Sequence, residues 1–151
     1  TFPLDTWHFV GAVYNGTGYK VYLDGNVIWT KTESLSGASA GNFQIGLTTA
    51  YGLGGNQFFG SIANVQFYNV NLTQSQVTQL YGEGVNGAPI SEKNLVGWWP
   101  LDGNANDYSG FGYNGTQTNV AYVSLNGTYT APGLSSLNSV ADEFQALGFV
   151  G

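Results

Sequence analysis

The most oxygen-rich stretch of the chain is residues 102–110, which reads DGNANDYSG. Its candidate metal ligands are Asp102, Asn104, Asn106 and Asp107. Carboxylate and amide oxygens at such close spacing suit a hard cation such as calcium. The run departs from an EF-hand loop, because Asp107 stands where that loop has glycine and Tyr113 where it has glutamate. A turn whose Asn and Asp side chains cap backbone amides is the alternative.

Aromatic residues around this stretch form a second candidate site. In the run LVGWWPL, Trp98 and Trp99 are adjacent, so a strand directs one toward the core and the other outward. An outward Trp can stack on a sugar or contact a neighbouring subunit. The residues predicted for such an interface or glycan platform are Trp98, Trp99, Tyr108, Phe111, Tyr113, Phe144 and Phe149.

Groups for acid–base or nucleophilic catalysis are scarce. A glycosidase needs two carboxylates about 5–10 Å apart on one site. The adjacent Asp142 and Glu143 would point to opposite faces of a strand. His8 is the only histidine, cysteine is absent, and no motif places an Asp or Ser partner beside it. We therefore expect no enzymatic activity, a structural or surface role for His8, and no cofactor beyond structural calcium.

Charge and composition restrict the partners. Only 8% of residues are charged, arginine is absent, and the net charge is −6. Nucleic-acid binding is excluded because it needs clustered basic residues, and membrane insertion because no run of about 18 apolar residues exists. A surface of neutral polar residues indicates an extracellular or cell-surface protein. N-glycosylation is predicted at four sequons, although Asn-Gly is also simply a favourable turn. These sequons lie at Asn15, Asn71, Asn114 and Asn126.

Short apolar runs between glycine-rich turns predict an all-β, antiparallel sandwich. Asp24-Gly25 predicts a two-residue type I′ hairpin turn, and the capping-box pair Thr73 and Gln76 predicts one short helix over 73–82. The final segment, 140–151, fits either a short helix or an exposed strand. The expected strands are 7–14, 19–23, 26–32, 43–47, 57–69, 95–101 and 116–124.

Two stretches resemble the laminin-G-like, concanavalin A-like lectin/glucanase jelly-roll superfamily. WHFVGAVYNGTGYKVYLDGNVI and FFGSIANVQFYNVNLTQSQVTQLY, within residues 7–81, resemble its central hairpin, closing strand and terminal helix. LVGWWPLDGNANDYSGFGYNG, residues 95–115, resembles its opening strand, which normally stands at the N-terminus. The resemblance divides the chain into 1–82, the C-terminal half of a sandwich, a linker over 83–94, and opening strands over 95–151.

This reversed order has three explanations: a circular permutation, a fragment of two tandem domains, or a subunit whose sheet a neighbour completes. In a circular permutation, strand 95–101 pairs with 62–68 of its own chain. In a subunit completed by a neighbour, it pairs with another copy. We predict a non-catalytic extracellular protein, structural or adhesive, that self-associates into a filament by β-strand exchange. The alternative is a carbohydrate-binding, lectin-like module that depends on calcium and has glycans as partners.

Overall fold

The computed structural model describes residues 6–34, 43–48 and 56–122. These ranges contain one helix, α1 (Gln74–Glu83), and three antiparallel sheets. The predicted all-β class with one short helix is confirmed. The strands are β1 (Val10–Tyr14), β2 (Gly18–Leu23), β3 (Asn26–Thr32), β4 (Leu47–Thr48), β5 (Asn56–Gln57), β6 (Val65–Tyr68) and β7 (Leu95–Trp99).

The largest sheet has the order β1–β2–β3. Asp24 and Gly25 connect β2 to β3 with φ angles of 49° and 76°, the two positive values that the predicted type I′ turn requires. Along this hairpin Val21 lies opposite Trp29 and Tyr22 lies opposite Val27. Ile28, which falls between them, is therefore the extra residue of a β-bulge. The bulge interrupts β3 near its middle.

Helix α1 begins where the capping box predicts. The backbone amide of Gln76 donates to the Thr73 hydroxyl, and the Thr73 amide donates to the Gln76 side-chain oxygen at 2.9 Å. The helix ends before Gly84, whose φ of 78° is accessible to glycine without strain. Val77 is buried, which anchors the inner face of the helix.

The helix is attached to the hairpin turn of the first sheet. The Tyr81 ring lies 6.1 Å from the Phe9 ring and packs over Gly25. The Gln74 side chain also donates to the Gly25 carbonyl at 2.7 Å. Residues 74–83 therefore cover the β2–β3 turn.

Strand β7 pairs antiparallel with β6 of the same chain, from Val65 opposite Trp99 to Tyr68 opposite Leu95. Of the predicted pairings for segment 95–101, the structure thus contains the intrachain one. The strand ends at Trp99 because Pro100 has no amide hydrogen to donate to a ladder. Leu95 and Trp99 are buried, and Trp99 stacks on Phe43 with ring centroids 5.3 Å apart.

Several predicted strand boundaries are wrong. Strand 7–14 begins only at Val10, and the predicted strand 57–69 is divided, because Asn64 has a φ of 52° that a strand does not adopt. Residues 116–122 form no strand, since Asn119 has a φ of 53°. The segment 140–151 lies outside the described residues.

Few large apolar side chains are buried in the part of the chain that the structure describes. The buried hydrophobic residues there are Tyr22, Val77, Leu95 and Trp99. Many others are more than a third exposed, including Val10, Ile28 and Phe59. Across the same ranges, no helix combines the length and apolarity needed to cross a membrane.

Candidate functional site

One carboxylate, that of Asp107, fastens the loop over residues 102–115 to β7. Its Oδ1 accepts the backbone amides of Trp98 and Ser109 at 3.0 and 2.9 Å. Its Oδ2 accepts the Ser109 hydroxyl at 2.8 Å and the Tyr113 amide at 2.9 Å. Four donors from a strand and a loop thus converge on one side chain. We call residues 102–115 the clasped loop.

The ionised form of Asp107 is the form that this arrangement favours. Loss of hydration on burial is the largest single influence and acts to raise its pKa. The hydrogen bonds from Trp98, Ser109 and Tyr113 together outweigh that influence and hold the pKa of Asp107 below its usual value of 3.8. The carboxylate is therefore charged at neutral pH and bound to the backbone on both oxygens.

One of the other predicted calcium ligands, Asn104, also accepts a backbone amide, as does the nearby sequon residue Asn114. The Asn104 side-chain oxygen accepts the Asn106 amide at 2.8 Å, and the Asn114 oxygen accepts the Asp107 amide at 2.9 Å. Asp102 lies half-buried at the start of the loop. These are the hydrogen bonds of the amide-capping alternative. The described ranges contain no group of three or more acidic, histidine or cysteine side chains arranged for a metal. A calcium ion bound by this loop stays a prediction.

The two tryptophans of β7 face opposite sides, as their adjacency predicts. Trp99 is buried and donates its indole N–H to the Tyr113 carbonyl at 2.9 Å. Trp98 is half-buried and donates its indole N–H to Asn64 Oδ1, also at 2.9 Å. Its ring meets Tyr108 edge-on, with centroids 6.1 Å apart and an interplanar angle of 63°.

Loop aromatics form an exposed platform. Phe111 and Tyr113 stack nearly parallel, with centroids 5.9 Å apart and an angle of 10°, and are 62% and 57% exposed. Tyr108 is also exposed. The structure therefore places Trp98, Tyr108, Phe111 and Tyr113 on or beside the clasped loop. Their role in an interface stays a prediction, and Phe144 and Phe149 lie outside the described residues.

Strand β3 presents a second, apolar surface. All seven of its residues are exposed, and within the described ranges its only ladder partner is β2. Ile28 is 53% and Trp29 49% exposed. The charged groups near its end, Lys31 and Glu33, form an exposed ion pair at 2.6 Å, and the hydrogen bond that Lys31 donates to the Glu33 carboxylate raises the pKa of Lys31.

His8 has a side-chain partner at each ring nitrogen. Its Nε2 lies 3.0 Å from the Thr6 hydroxyl, and its Nδ1 lies 2.8 Å from Asp24 Oδ2. Asp24 Oδ1 also accepts the Phe9 amide at 2.9 Å. The expectation that no carboxylate stands beside His8 is wrong, because the hairpin register brings the turn residue Asp24 back to the start of β1.

Hydroxyl, imidazole and carboxylate in this order match the arrangement of a hydrolase triad. Asp24 and Phe9 are joined by two hydrogen bonds. The Phe9 amide donates to the Asp24 carboxylate, and the Asp24 amide donates to the Phe9 carbonyl at 2.9 Å. The cluster therefore ties the segment before β1 to the hairpin turn. If the β1–β2 ladder is extended by one residue beyond the Leu23–Val10 pair, Asp24 lies opposite Phe9, the residue after His8. Extending the predicted hairpin in this way would have identified the cluster.

Three of the four sequons lie on the described surface, where Asn15, Asn71 and Asn114 are all exposed. The Asn15 side-chain oxygen accepts the backbone amides of Thr17 and Gly18, which is the turn-stabilising role of an Asn-Gly pair. Asn126 lies outside the described residues. Exposure is compatible with glycosylation, which stays a prediction.

Comparison with known families covers the first part of the chain. The laminin G family model of the concanavalin A-like lectin/glucanases superfamily matches residues 1–78. The match includes β1 to β6 and the first residues of α1, whereas β7 and the clasped loop follow it. No curated protein and no solved structure matches the chain.

Proposed function

Because this chain belongs to the concanavalin A-like lectin/glucanases superfamily, we propose that it is a non-catalytic, structural or adhesive protein of the cell exterior that associates with its own copies. The observation that supports self-association best is β3, which lies at the edge of its sheet in the described part of the chain and whose seven residues are all exposed. An edge with unpaired backbone groups and apolar side chains is a template for another chain.

The bulge at Ile28 defines where a partner strand would pair. A bulge breaks the regular spacing of backbone donors and acceptors, so a continuous ladder cannot run along the whole of β3. The uninterrupted stretch after it is Trp29–Thr32. We assign the acceptor edge to this stretch, with Ile28 and Val27 as apolar contacts beside it.

The intrachain pairing of β7 with β6 supports a permuted domain, in which residues 83–94 connect the closing strand and helix to the opening strand. Since β7 already has a partner in its own chain, strand exchange would use a different strand as donor. The segment 140–151 is the donor that we propose from its sequence.

Self-association is tested by light scattering after size-exclusion chromatography, and by electron microscopy at high concentration. We expect concentration-dependent oligomers that dissociate in the double variant Ile28→Thr with Trp29→Thr and in a chain ending at residue 139. The double variant Phe58→Thr with Phe59→Thr also replaces two exposed apolar side chains, but outside β3, and serves as the matched control. A stable monomer at every concentration contradicts the proposal.

Glycan binding is the second candidate function, and the stacked pair Phe111 and Tyr113 supports it. Exposed aromatic faces held by a fixed loop suit stacking on the apolar face of a sugar ring. A glycan array, run with calcium and with a chelator, tests the candidate. We expect binding that Phe111→Ala abolishes; no binding at high protein concentration rejects it.

The non-catalytic part of the proposal has its own test at the cluster of Thr6, His8 and Asp24. We expect an activated ester to be hydrolysed by the protein no faster than by the His8→Ala variant. Turnover that His8→Ala and Thr6→Ala both remove, while thermal unfolding stays unchanged, would identify a hydrolase instead.

A further inference from the structure

The linker and the clasped loop together line a partly open cavity of about 130 Å³ against β7. Its lining combines two aromatic residues, one acidic residue, the polar residue Ser109 and three apolar residues. The main groups are Trp98, Tyr108, Glu92, Ala88, Pro89 and Leu95. The cavity lies outside residues 1–78, the part of the chain that matches the family.

Both rings are held in place before any ligand arrives. The Trp98 indole N–H is bonded to Asn64, and the Trp98 amide is bonded to Asp107. The Tyr108 amide donates to the Trp98 carbonyl at 2.8 Å, which fixes the base of the second ring against the first. Two rings inclined at 63° therefore form adjoining walls of a preformed site, and preformed sites lose little entropy on binding.

The charge of the lining selects the ligand. Aromatic faces carry negative electrostatic potential, and Trp provides the strongest cation–π attraction among the side chains. Glu92, an exposed residue of the lining, adds a carboxylate, in a chain with net charge −6 and no arginine. Aromatic walls and a carboxylate both favour a positive group, whereas an anion meets repulsion from each of them.

We propose that this cavity binds a quaternary ammonium group, such as the trimethylammonium of choline or of a methylated lysine side chain. A quaternary ammonium has no N–H donor, so it is bound by aromatic faces and by charge, the two properties of this lining. The proposal is independent of self-association, because the cavity contains no residue of β3.

The test uses the indole N–H resonance of Trp98, which the Trp98→Phe variant assigns by its disappearance. The protein is titrated with choline chloride, with sodium chloride at equal ionic strength, and with 3,3-dimethylbutan-1-ol, the uncharged isostere of choline. We expect a saturable shift with choline and none with the isostere or salt. Equal shifts with choline and the isostere, or no shift with choline, overturn the proposal.

Variants locate the effect. Tyr108→Leu removes one wall, and we expect it to weaken choline binding about tenfold, whereas Tyr108→Phe keeps the wall and the affinity. Glu92→Gln should weaken binding several-fold and reduce its dependence on salt. The remaining indole resonances show whether each variant is folded. Unchanged affinity in folded Tyr108→Leu contradicts the site.

The source of the ammonium group is distinguished by parallel titrations with phosphocholine and with a peptide that contains trimethyllysine. A methyl glycoside completes the set. A shift caused by the glycoside but not by choline would overturn the cation site and assign the cavity to sugar binding.

Discussion

The β1–β2–β3 sheet and the β6–β7 pair with its clasped loop are ordered by different interactions. In the first, long backbone ladders hold the strands, and β3 keeps every side chain exposed. In the second, the ladder is short, but Leu95 and Trp99 are buried and Asp107 binds three backbone amides. The side chains of β3 are exposed to solvent, whereas Leu95, Trp99 and Asp107 of the second region hold the chain itself.

We therefore expect the β6–β7 pair with its clasped loop to determine stability, and the outer side of β3 to determine recognition. Substitutions at the Asp107 clasp or in β7 should mainly change the free energy of unfolding. Substitutions on the outer side of β3 should mainly change association. Unfolding in urea measures the first effect, and light scattering measures the second.

The largest effect is expected from Asp107→Ala. The substitution leaves the amides of Trp98, Ser109 and Tyr113 without their charged acceptor, and we expect it to lower the free energy of unfolding by about 3 kcal/mol. Asp107→Asn keeps an acceptor oxygen and should lose less. If both variants unfold at the wild-type urea midpoint, the clasp does not stabilise the fold.

Gly97→Ala should have the next largest effect. A Cβ at this position overlaps the six-membered ring of Trp99, which cannot easily move because it stacks on Phe43 and donates to Tyr113. We expect a loss of about 2 kcal/mol. Gly82→Ala is the matched control, since a Cβ there meets no atom within 4 Å in α1, and it should stabilise the protein.

Acid should weaken the clasped loop in a defined direction. Because the folded-state pKa of Asp107 lies below 3.8, the charged carboxylate contributes stability fully above that value. The contribution is lost as pH falls through the lower, folded-state pKa. Urea unfolding from pH 6 to pH 2 should therefore show a steeper acid loss in the wild type than in Asp107→Asn. Parallel curves would contradict this assignment.

The smallest change in stability is expected on β3. Ile28→Thr replaces a side chain that is 53% exposed, so the free energy of unfolding should change by less than about 0.5 kcal/mol. The same variant should weaken self-association measured by light scattering. A large loss of stability without a change in association would reverse the contrast between the two regions.

Local signals made some of the fold predictable from sequence. The Asp24-Gly25 turn and the Thr73 capping box each depend on neighbouring residues, and both are present. The division of the predicted strand 57–69 depends on the backbone of Asn64. The Asn64 side chain bonds to the Trp98 indole and to the Gly87 carbonyl, which both lie far away in sequence. Alternating polarity in the chain cannot reveal such contacts.

The candidate sites were predictable in position but not in role. Asp107 appears in both the calcium and the capping interpretations, since each needs the same oxygen-rich loop. Only the positions of the Trp98, Ser109 and Tyr113 amides show where its lone pairs point. The partner of His8 required the strand register, which composition does not contain.

The clasped loop also has a consequence for the order of folding. Asp107 bonds to Trp98, nine residues before it, and to Tyr113, six residues after it, whereas Trp98 reaches Asn64 across 34 residues. Closing a short loop costs less chain entropy than closing a long one. The Asp107 turn therefore has the entropic advantage of forming first and delivering β7 already shaped to β6. Strand β7, the last strand of the described fold, is thus prepared by its own sequence neighbours.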